Sequence, residues 1–274
     1  MVINPNSLGL GLPPGTVRVQ PSFWSADGPT ARLSWTRLLA AREAAGMQPV
    51  LLVDDRHRSL AWDEENLDPG EVSDPDDHDP ERTLAALWED VQADDHEGAP
   101  EMPETPETSG TPGAPETAED DADTIAPFTP RWPGLAPAGG SSADPDTVAA
   151  RVAARLLETP SLRGARAGLV PARRSADVPA ALGWLGACNH TDAGLLSTVL
   201  RSWEDRFGTR LVALHYDRMD LSVAAPPRTM PEALAVAAEH HAFCPDNVWQ
   251  GYDTIRAYAA EAVLGSPHWS FWWD

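Results

Sequence analysis

The chain has 274 residues, of which 42% are hydrophobic, and its formal net charge is −22. All 20 basic residues are arginines, so Schiff-base enzymes, lysine general bases and P-loop nucleotide hydrolases are excluded. Because the sequence has only two cysteines and no apolar run of about 18 residues, we expect a cytoplasmic protein without a disulfide framework or a membrane partner. The arginine-, alanine- and proline-rich composition is typical of a bacterial genome of high GC content.

The negative charge is concentrated in the middle of the chain. Residues 54–124 hold 25 acidic residues and three arginines, which together equal the whole net charge. Within this stretch, residues 97–126 are rich in Pro, Glu and Thr and have too few apolar side chains to offset the entropy of ordering. We therefore predict a disordered acidic insert at 97–126, between an N-terminal α/β segment (1–96) with an acidic end and a C-terminal α+β domain (127–274).

The predicted elements of the N-terminal segment alternate between strands and helices. A short strand is predicted over 17–19 and a helix over 31–45, ended by Gly46. The wholly apolar run at 50–53 is typical of a buried strand. A second helix begins at Asp79–Pro80 and carries four inward side chains, namely Leu84, Leu87, Trp88 and Val91.

The C-terminal segment begins with a helix from Asp144–Pro145 and a strand over 167–170. We then predict a strand at 178–184, a helix at 191–207, a hairpin of 210–216 and 219–224, helices at 229–243 and 253–264, and a last strand at 268–273. The order from residue 178 onward is that of a ferredoxin-like β-α-β-β-α-β sheet with one extra helix. The predicted fold class is therefore α+β, with this sheet packed against the N-terminal α/β segment.

The C-terminal sequence also resembles a known family. The segments A-F-C-P-D-N-V-W-Q-G at 242–251 and W-S-F-W-W-D at 269–274 are similar to the bacterial family called domain of unknown function 4253 (DUF4253). Similar pieces at 168–174, 199–208 and 62–71 extend the resemblance to most of the chain except the acidic insert. The resemblance implies no catalytic residues.

Cysteine and histidine side chains are the first candidates for chemistry. Cys188, His190, His240 and Cys244 are suitable ligand types for zinc, but neither C-x-x-C nor H-E-x-x-H occurs. The clustered carboxylates at 68–81 could hold a hard cation, although their spacing does not fit an EF-hand. Buried thiols, ordinary helix histidines and turns explain these residues better, and we predict no metal and no cofactor.

The last strand is rich in aromatic residues. Trp269, Phe271 and Trp273 share one face of a strand, and Trp272 lies on the other. We expect both faces to be covered, one by helices and the other by the N-terminal segment, so that the tryptophans belong to the core rather than to an exposed binding face.

The ferredoxin-like order places three loops at one end of the sheet. We predict a binding site there because binding residues concentrate in loops on a rigid scaffold. The candidate residues are Asn189, His190, Tyr216, Asp217, Arg218, Asp246, Asn247, Trp249 and Gln250.

Two functions are compatible with these candidate residues. The first hypothesis is a non-catalytic protein-binding or regulatory module with a protein partner, including an immunity-type protein that neutralises a toxin. Because no basic patch is present, nucleic acid is not expected to bind directly. The second hypothesis is a small-molecule hydrolase or transferase that uses the Cys/His cluster, with or without a metal.

Overall fold

A computed structural model describes residues 4–30, 35–54, 62, 67–97, 124–140 and 143–274. These residues form one mixed sheet. Its strands are β1 Gly15–Val19, β2 Ser22–Ala26, β3 Met47–Leu52, β4 Arg166–Pro171, β5 Arg210–Leu214, β6 Arg218–Ser222 and β7 His268–Trp272. Their spatial order is β1-β2-β4-β3-β5-β6-β7, and β3 and β5 are the parallel pair among antiparallel neighbours.

Helices cover both faces of the sheet, so the predicted α+β class is confirmed. The described helices are α1 Trp35–Ala45, α2 Pro80–Glu97, α3 Pro145–Leu157, α4 Val178–Leu182, α5 Ala193–Phe207, α6 Met230–Phe243, α7 Asp246–Trp249 and α8 Ile255–Tyr258. Helices α1 and α3 pack on one face, and α2, α5 and α6 pack with one another over the other face. Among the described helices, none is both long and apolar enough to cross a membrane.

Strands from both sides of the acidic insert belong to this one sheet. Strand β3 precedes the insert in sequence and pairs with β4 and β5, which follow it. Side chains alternate between two cores, so that Val50 and Leu52 face the α2/α5/α6 side while Leu51 faces α1 and α3. Of the predicted insert, residues 98–123 lie outside the described residues, and Ile125 near its end is buried in the core.

The predicted strand at 178–184 is wrong, because residues Val178–Leu182 form helix α4. Pro179 lies in the first turn, where a missing N–H costs nothing, and Gly183 ends the helix in the left-handed conformation with φ +63°. A Cβ at Gly183 would lie 2.1 Å from the Pro69 nitrogen, so glycine is also required for the close approach of this segment.

The loss of this strand changes the C-terminal topology. The sheet does not have the ferredoxin-like arrangement; instead, β5, β6 and β7 are antiparallel neighbours at one end of a larger sheet, with β7 at the edge and α6 to α8 in the connection between β6 and β7. The other predicted elements of this segment are confirmed, including the capping box in which Thr229 and Glu232 begin α6. The helix predicted at 253–264 is α-helical over Ile255–Tyr258 and continues as a π-helix over Ala259–Val263. Strand β2 was not expected from the sequence.

The last strand contributes three of its aromatic residues to the core. Trp269, Phe271 and Trp273 are buried on the α5/α6 side. Trp272 is half-buried on the other side of β7, across from Arg218 on β6. The expectation that all four aromatics are buried is therefore correct for three of them, because α1 and α3 pack on the central strands rather than on β7.

Candidate functional site

The loops predicted to form a site do meet, at the carboxyl end of β7. Asn189 donates a hydrogen bond from its Nδ2 to the Asp274 carbonyl, and Asp246 Oδ2 accepts one from the Asp274 N–H at 3.1 Å. The Trp273 N–H donates to the Asp217 carbonyl at 2.9 Å, and Gln250 Nε2 donates to Asp246 Oδ1 at 3.0 Å. The end of the chain's last strand thus connects three loops that are distant in sequence.

Five of these residues form a polar surface, which we call the β7-end surface. Asn189, Asp217, Gln250 and Asp274 are exposed, and Asp246 is half-buried. Three of the five side chains are carboxylates, so the surface has an acidic character. Because hydrogen bonds to backbone groups hold its loops, its side chains are presented on a fixed scaffold.

The remaining predicted site residues lie around this surface or beneath it. His190 is half-buried, with Nε2 3.0 Å from the Ala242 carbonyl, and Tyr216 is half-buried in the hairpin turn. Trp249 is half-buried with its ring centroid 5.7 Å from that of His241. Asn247 is buried, and Arg218 donates to Asp220. These residues support the surface more than they contribute exposed groups to it.

The four metal candidates do not form a metal site. Cys188 is exposed, whereas His240 and Cys244 are fully buried. His240 Nδ1 lies 3.0 Å from the Tyr258 hydroxyl, and burial holds the pKa of this imidazole well below its ordinary value. Within the described ranges, no group of three or more His, Cys, Asp or Glu side chains is arranged to hold a metal ion.

The family-like segment at 242–251 has a structural role at the edge of the sheet. Cys244 Sγ donates to the Trp272 carbonyl at 2.9 Å, and Asn247 Nδ2 donates to the Ser270 carbonyl at 2.8 Å. Ser266 Oγ donates to the His268 carbonyl at 2.6 Å. These outward carbonyls of β7 are therefore paired with side chains, which protects an edge strand from pairing with another chain.

A second cluster, which the sequence did not predict as a site, surrounds Asp220 on β6. Asp220 is fully buried and accepts hydrogen bonds from His215 Nε2 at 3.1 Å, His268 Nε2 at 2.9 Å and Arg218 Nη2 at 3.0 Å. Burial alone would raise the pKa of Asp220, but the bonds from both histidines and the charge of Arg218 outweigh it and pull this pKa far below its ordinary range. We call these four residues the Asp220 cluster.

A third polar group lies on the other face of the sheet, around the buried Glu239 of α6. Arg206 donates to both carboxylate oxygens at 2.7 Å, Trp203 Nε1 donates at 2.6 Å, and the Ala136 N–H donates at 2.5 Å. Arg206 also donates to the Ala136 carbonyl at 2.8 Å. Glu239 therefore holds the segment that follows the insert against α5 and α6.

The alternation along β6 was the sequence signal for the Asp220 cluster. Arg218, Asp220 and Ser222 alternate with Met219 and Leu221, which predicts a polar face on an otherwise buried strand. The position of His268 opposite Ser222 could be obtained only from the strand register. The Glu239 group had no comparable signal, because its partners come from α5 and from the segment near Ala136.

The fold and these sites define an α+β protein. Its edge strand β7 has outward carbonyls that are paired with side chains, and the β7-end surface and the Asp220 cluster lie next to this strand. The family model described as domain of unknown function (DUF4253) matches residues 166–274, the C-terminal part of the chain. This match confirms the resemblance for that part, while the similar piece at 62–71 lies outside it. No curated protein and no solved structure gives a significant match to the chain.

Proposed function

We propose that this protein is a non-catalytic binding module, whose β7-end surface recognises a protein partner. The observation that carries the proposal is the convergence of Asn189, Asp217 and Asp246 on the backbone of residues 273–274. Gln250 joins them through its hydrogen bond to Asp246. Exposed polar groups on preorganised loops can bind a partner without first losing conformational entropy, which favours binding.

The charge of the surface supports a partner with basic or amide groups. Asp217, Asp246 and Asp274 supply carboxylates, and Asn189 and Gln250 supply amides that can both donate and accept. Acidic surfaces accelerate the association of basic partners through long-range attraction. A basic partner is compatible both with a regulatory module and with an immunity-type protein that neutralises a toxin.

The alternative of a Cys/His hydrolase or transferase receives less support. The reactive form of cysteine is the thiolate. Burial raises the pKa of the Cys244 thiol far above its ordinary value, and its S–H donates a hydrogen bond to the Trp272 carbonyl. His240 is buried beside Tyr258, so it does not supply an accessible base for Cys244.

Site-specific photo-crosslinking in the native host tests the proposal. A photoreactive residue at Gln250 should form an adduct with one protein, whereas the same residue at the exposed Glu158 after α3 should not. The purified partner should then bind the Asp217→Arg and Gln250→Arg variants at least about tenfold more weakly, which is about 1.4 kcal/mol. Unfolding midpoints should remain unchanged, as is usual for exposed positions.

Two results would contradict this proposal. One is the absence of any adduct from positions 189, 217 and 250 under conditions in which the protein is folded in the cell. The other is an isolated partner whose affinity is the same for both charge-reversal variants and for the Glu158→Arg control.

A further inference from the structure

The Asp220 cluster is accessible from the surface although its central carboxylate is not. The side chains of His215 and His268 are 14% and 15% exposed, and that of Arg218 is 33% exposed, whereas that of Asp220 is 0% exposed. The cross-strand neighbours on the same face are Ser222, Ser270 and Trp272, and the last two are half-buried. The three cationic or protonatable groups therefore form the outer layer over a buried anion.

The hydrogen bonds to Asp220 determine which ring atoms remain available. Both histidines use Nε2 for Asp220, so Nδ1 of each ring is the second nitrogen. Within the described residues, no hydrogen bond engages Nδ1 of His215 or His268, and neither atom is buried without a partner. In a neutral imidazole this nitrogen is an acceptor, and after protonation it becomes a donor.

Charged groups on the neighbouring strands are paired with their own partners, so they do not change the net charge of the Asp220 cluster. Arg210 on β5 is paired with Asp146 of α3 at 3.1 Å and with Glu204 of α5 at 3.4 Å. Arg166 on β4 is paired with Asp54, which follows β3, at 2.8 Å. Within the cluster, the charge of Arg218 offsets that of Asp220. The net charge of the cluster is therefore zero with neutral histidines and becomes positive when a histidine gains a proton.

We propose that His215, His268 and Arg218 bind a small tetrahedral oxyanion, and that a proton from solvent is taken up at imidazole Nδ1 when the anion binds. Protonation converts Nδ1 from an acceptor to a donor that faces the anion, while Nε2–H continues to donate to Asp220. Asp220 thus keeps the ring in one orientation and stabilises the imidazolium, as the carboxylate of a catalytic triad does. Arg218 adds the fixed charge that is suited to a tetrahedral oxyanion. The proposal does not depend on the partner of the β7-end surface.

Sulfate is the suitable probe because it does not change its own protonation between about pH 6 and pH 8, the range in which histidine titrates. Isothermal titration of the full chain with sulfate should show binding at about pH 6 that is at least about tenfold weaker at about pH 8. Repeating the titration with a phosphate monoester distinguishes a free anion, with similar affinity, from a phosphate group on a larger ligand, with tighter binding.

The variants separate binding from a purely structural role. In the His215→Gln/His268→Gln double variant, each glutamine amide can still donate to Asp220 but cannot be protonated. We expect this protein to unfold cooperatively near the original midpoint, to bind sulfate at least about tenfold more weakly at about pH 6, and to lose the pH dependence. Arg218→Gln should weaken sulfate binding by a similar factor. His78→Gln, a half-buried histidine outside the cluster, is the matched control and should bind as the original protein does.

The proposal is overturned if the original protein binds no sulfate at about pH 6. It is also overturned if the double variant, confirmed as folded by its thermal transition, binds sulfate with unchanged affinity and pH dependence. If the double variant fails to fold, histidine Cε1–H resonances of the original protein provide the test: sulfate must shift those of His215 and His268, and an absence of shifts at these two residues contradicts the site.

Discussion

The two faces of the sheet near its β7 edge each hold a fully buried carboxylate, and the two are supported in different ways. Glu239 receives its hydrogen bonds from Arg206, Trp203 and the Ala136 backbone, and none of these donors is a histidine. Asp220 receives two of its three bonds from histidines. The first arrangement joins distant segments through buried groups, whereas the second is reached from the surface through two partly exposed histidines.

The histidines on the two faces differ in the same way. His240 and His241 are fully buried among aromatic rings, and both Trp88 and Trp249 make edge contacts with His241. Burial lowers the pKa of His241 to about 3, so this ring is neutral in the folded protein. His215 and His268 are partly exposed and rest on a carboxylate. A histidine is therefore part of the core on one face and a partly exposed hydrogen-bond donor to a carboxylate on the other.

The largest effect is expected from removal of β7, whose His268 donates to Asp220 and whose Trp269 packs against Trp203. Deletion of residues 269–274 removes Trp269, Phe271 and Trp273 from the core. Each such loss costs about 3–5 kcal/mol, against a total stability of about 5–15 kcal/mol. We expect no cooperative thermal transition by circular dichroism, and a truncated protein that unfolds cooperatively would show that β7 is dispensable.

Replacement of the buried Glu239 is expected to have the next largest effect. Glu239→Ala leaves Arg206 and the Trp203 N–H without their buried partner, which should lower the free energy of unfolding by about 3–5 kcal/mol. Chemical denaturation measures this change. The matched control, Glu158→Ala at an exposed position, should change it by less than about 0.5 kcal/mol. Equal effects of the two substitutions would contradict the structural role that we assign to Glu239.

The buried histidines predict how stability depends on pH. In the unfolded chain a histidine has a pKa of about 6.5, and in the folded protein the pKa of His241 is about 3. The unfolded state thus binds more protons between these values, so this stability is present above about pH 6.5 and is lost as the pH falls toward 3. The expected slope is about 1.4 kcal/mol per pH unit for each such histidine.

Replacement of one ring tests this assignment. His241→Phe keeps an aromatic ring in contact with Trp88 and Trp249 and removes the titrating group. Denaturation at about pH 7 and about pH 5 should show a slope that is smaller by about 1 kcal/mol per pH unit, because the unfolded histidine is only partly protonated at the upper end of this range. An unchanged slope would indicate that His241 is not the group that gains the proton on unfolding.

Much of the fold could be predicted because local sequence signals agreed with the final structure. The wholly apolar 50–53 run, the capping box at Thr229 and Glu232, and the alternation from 268 to 273 each specified one element. The error at Val178–Leu182 arose because five mostly apolar residues fit a strand or a buried helix, and Pro179 and Gly183 decide for the helix.

The candidate site was predictable in part. The loops at 189, 217 and 246–250 do meet, although by way of the last strand's end rather than through a ferredoxin-like order. The Asp220 cluster needed the β6–β7 register, which places His268 beside Asp220 across 48 residues. The sequence shows which residues are polar, but the pairing of distant strands decides which of them become neighbours.

Substitution of the groups that donate hydrogen bonds to the two carboxylates is the most direct test of the difference between the two faces. Unfolding free energies should be compared for Arg206→Gln and for the His215→Gln/His268→Gln double variant. Arg206→Gln should lower the free energy of unfolding by about 3–5 kcal/mol, because it leaves Glu239 as a buried charge without its cation. The double variant should lower it by no more than about 1 kcal/mol, because both amides and Arg218 still compensate Asp220. A double variant that is destabilised as much as Arg206→Gln would mean that the Asp220 cluster is a structural core like that of Glu239, and would contradict the account.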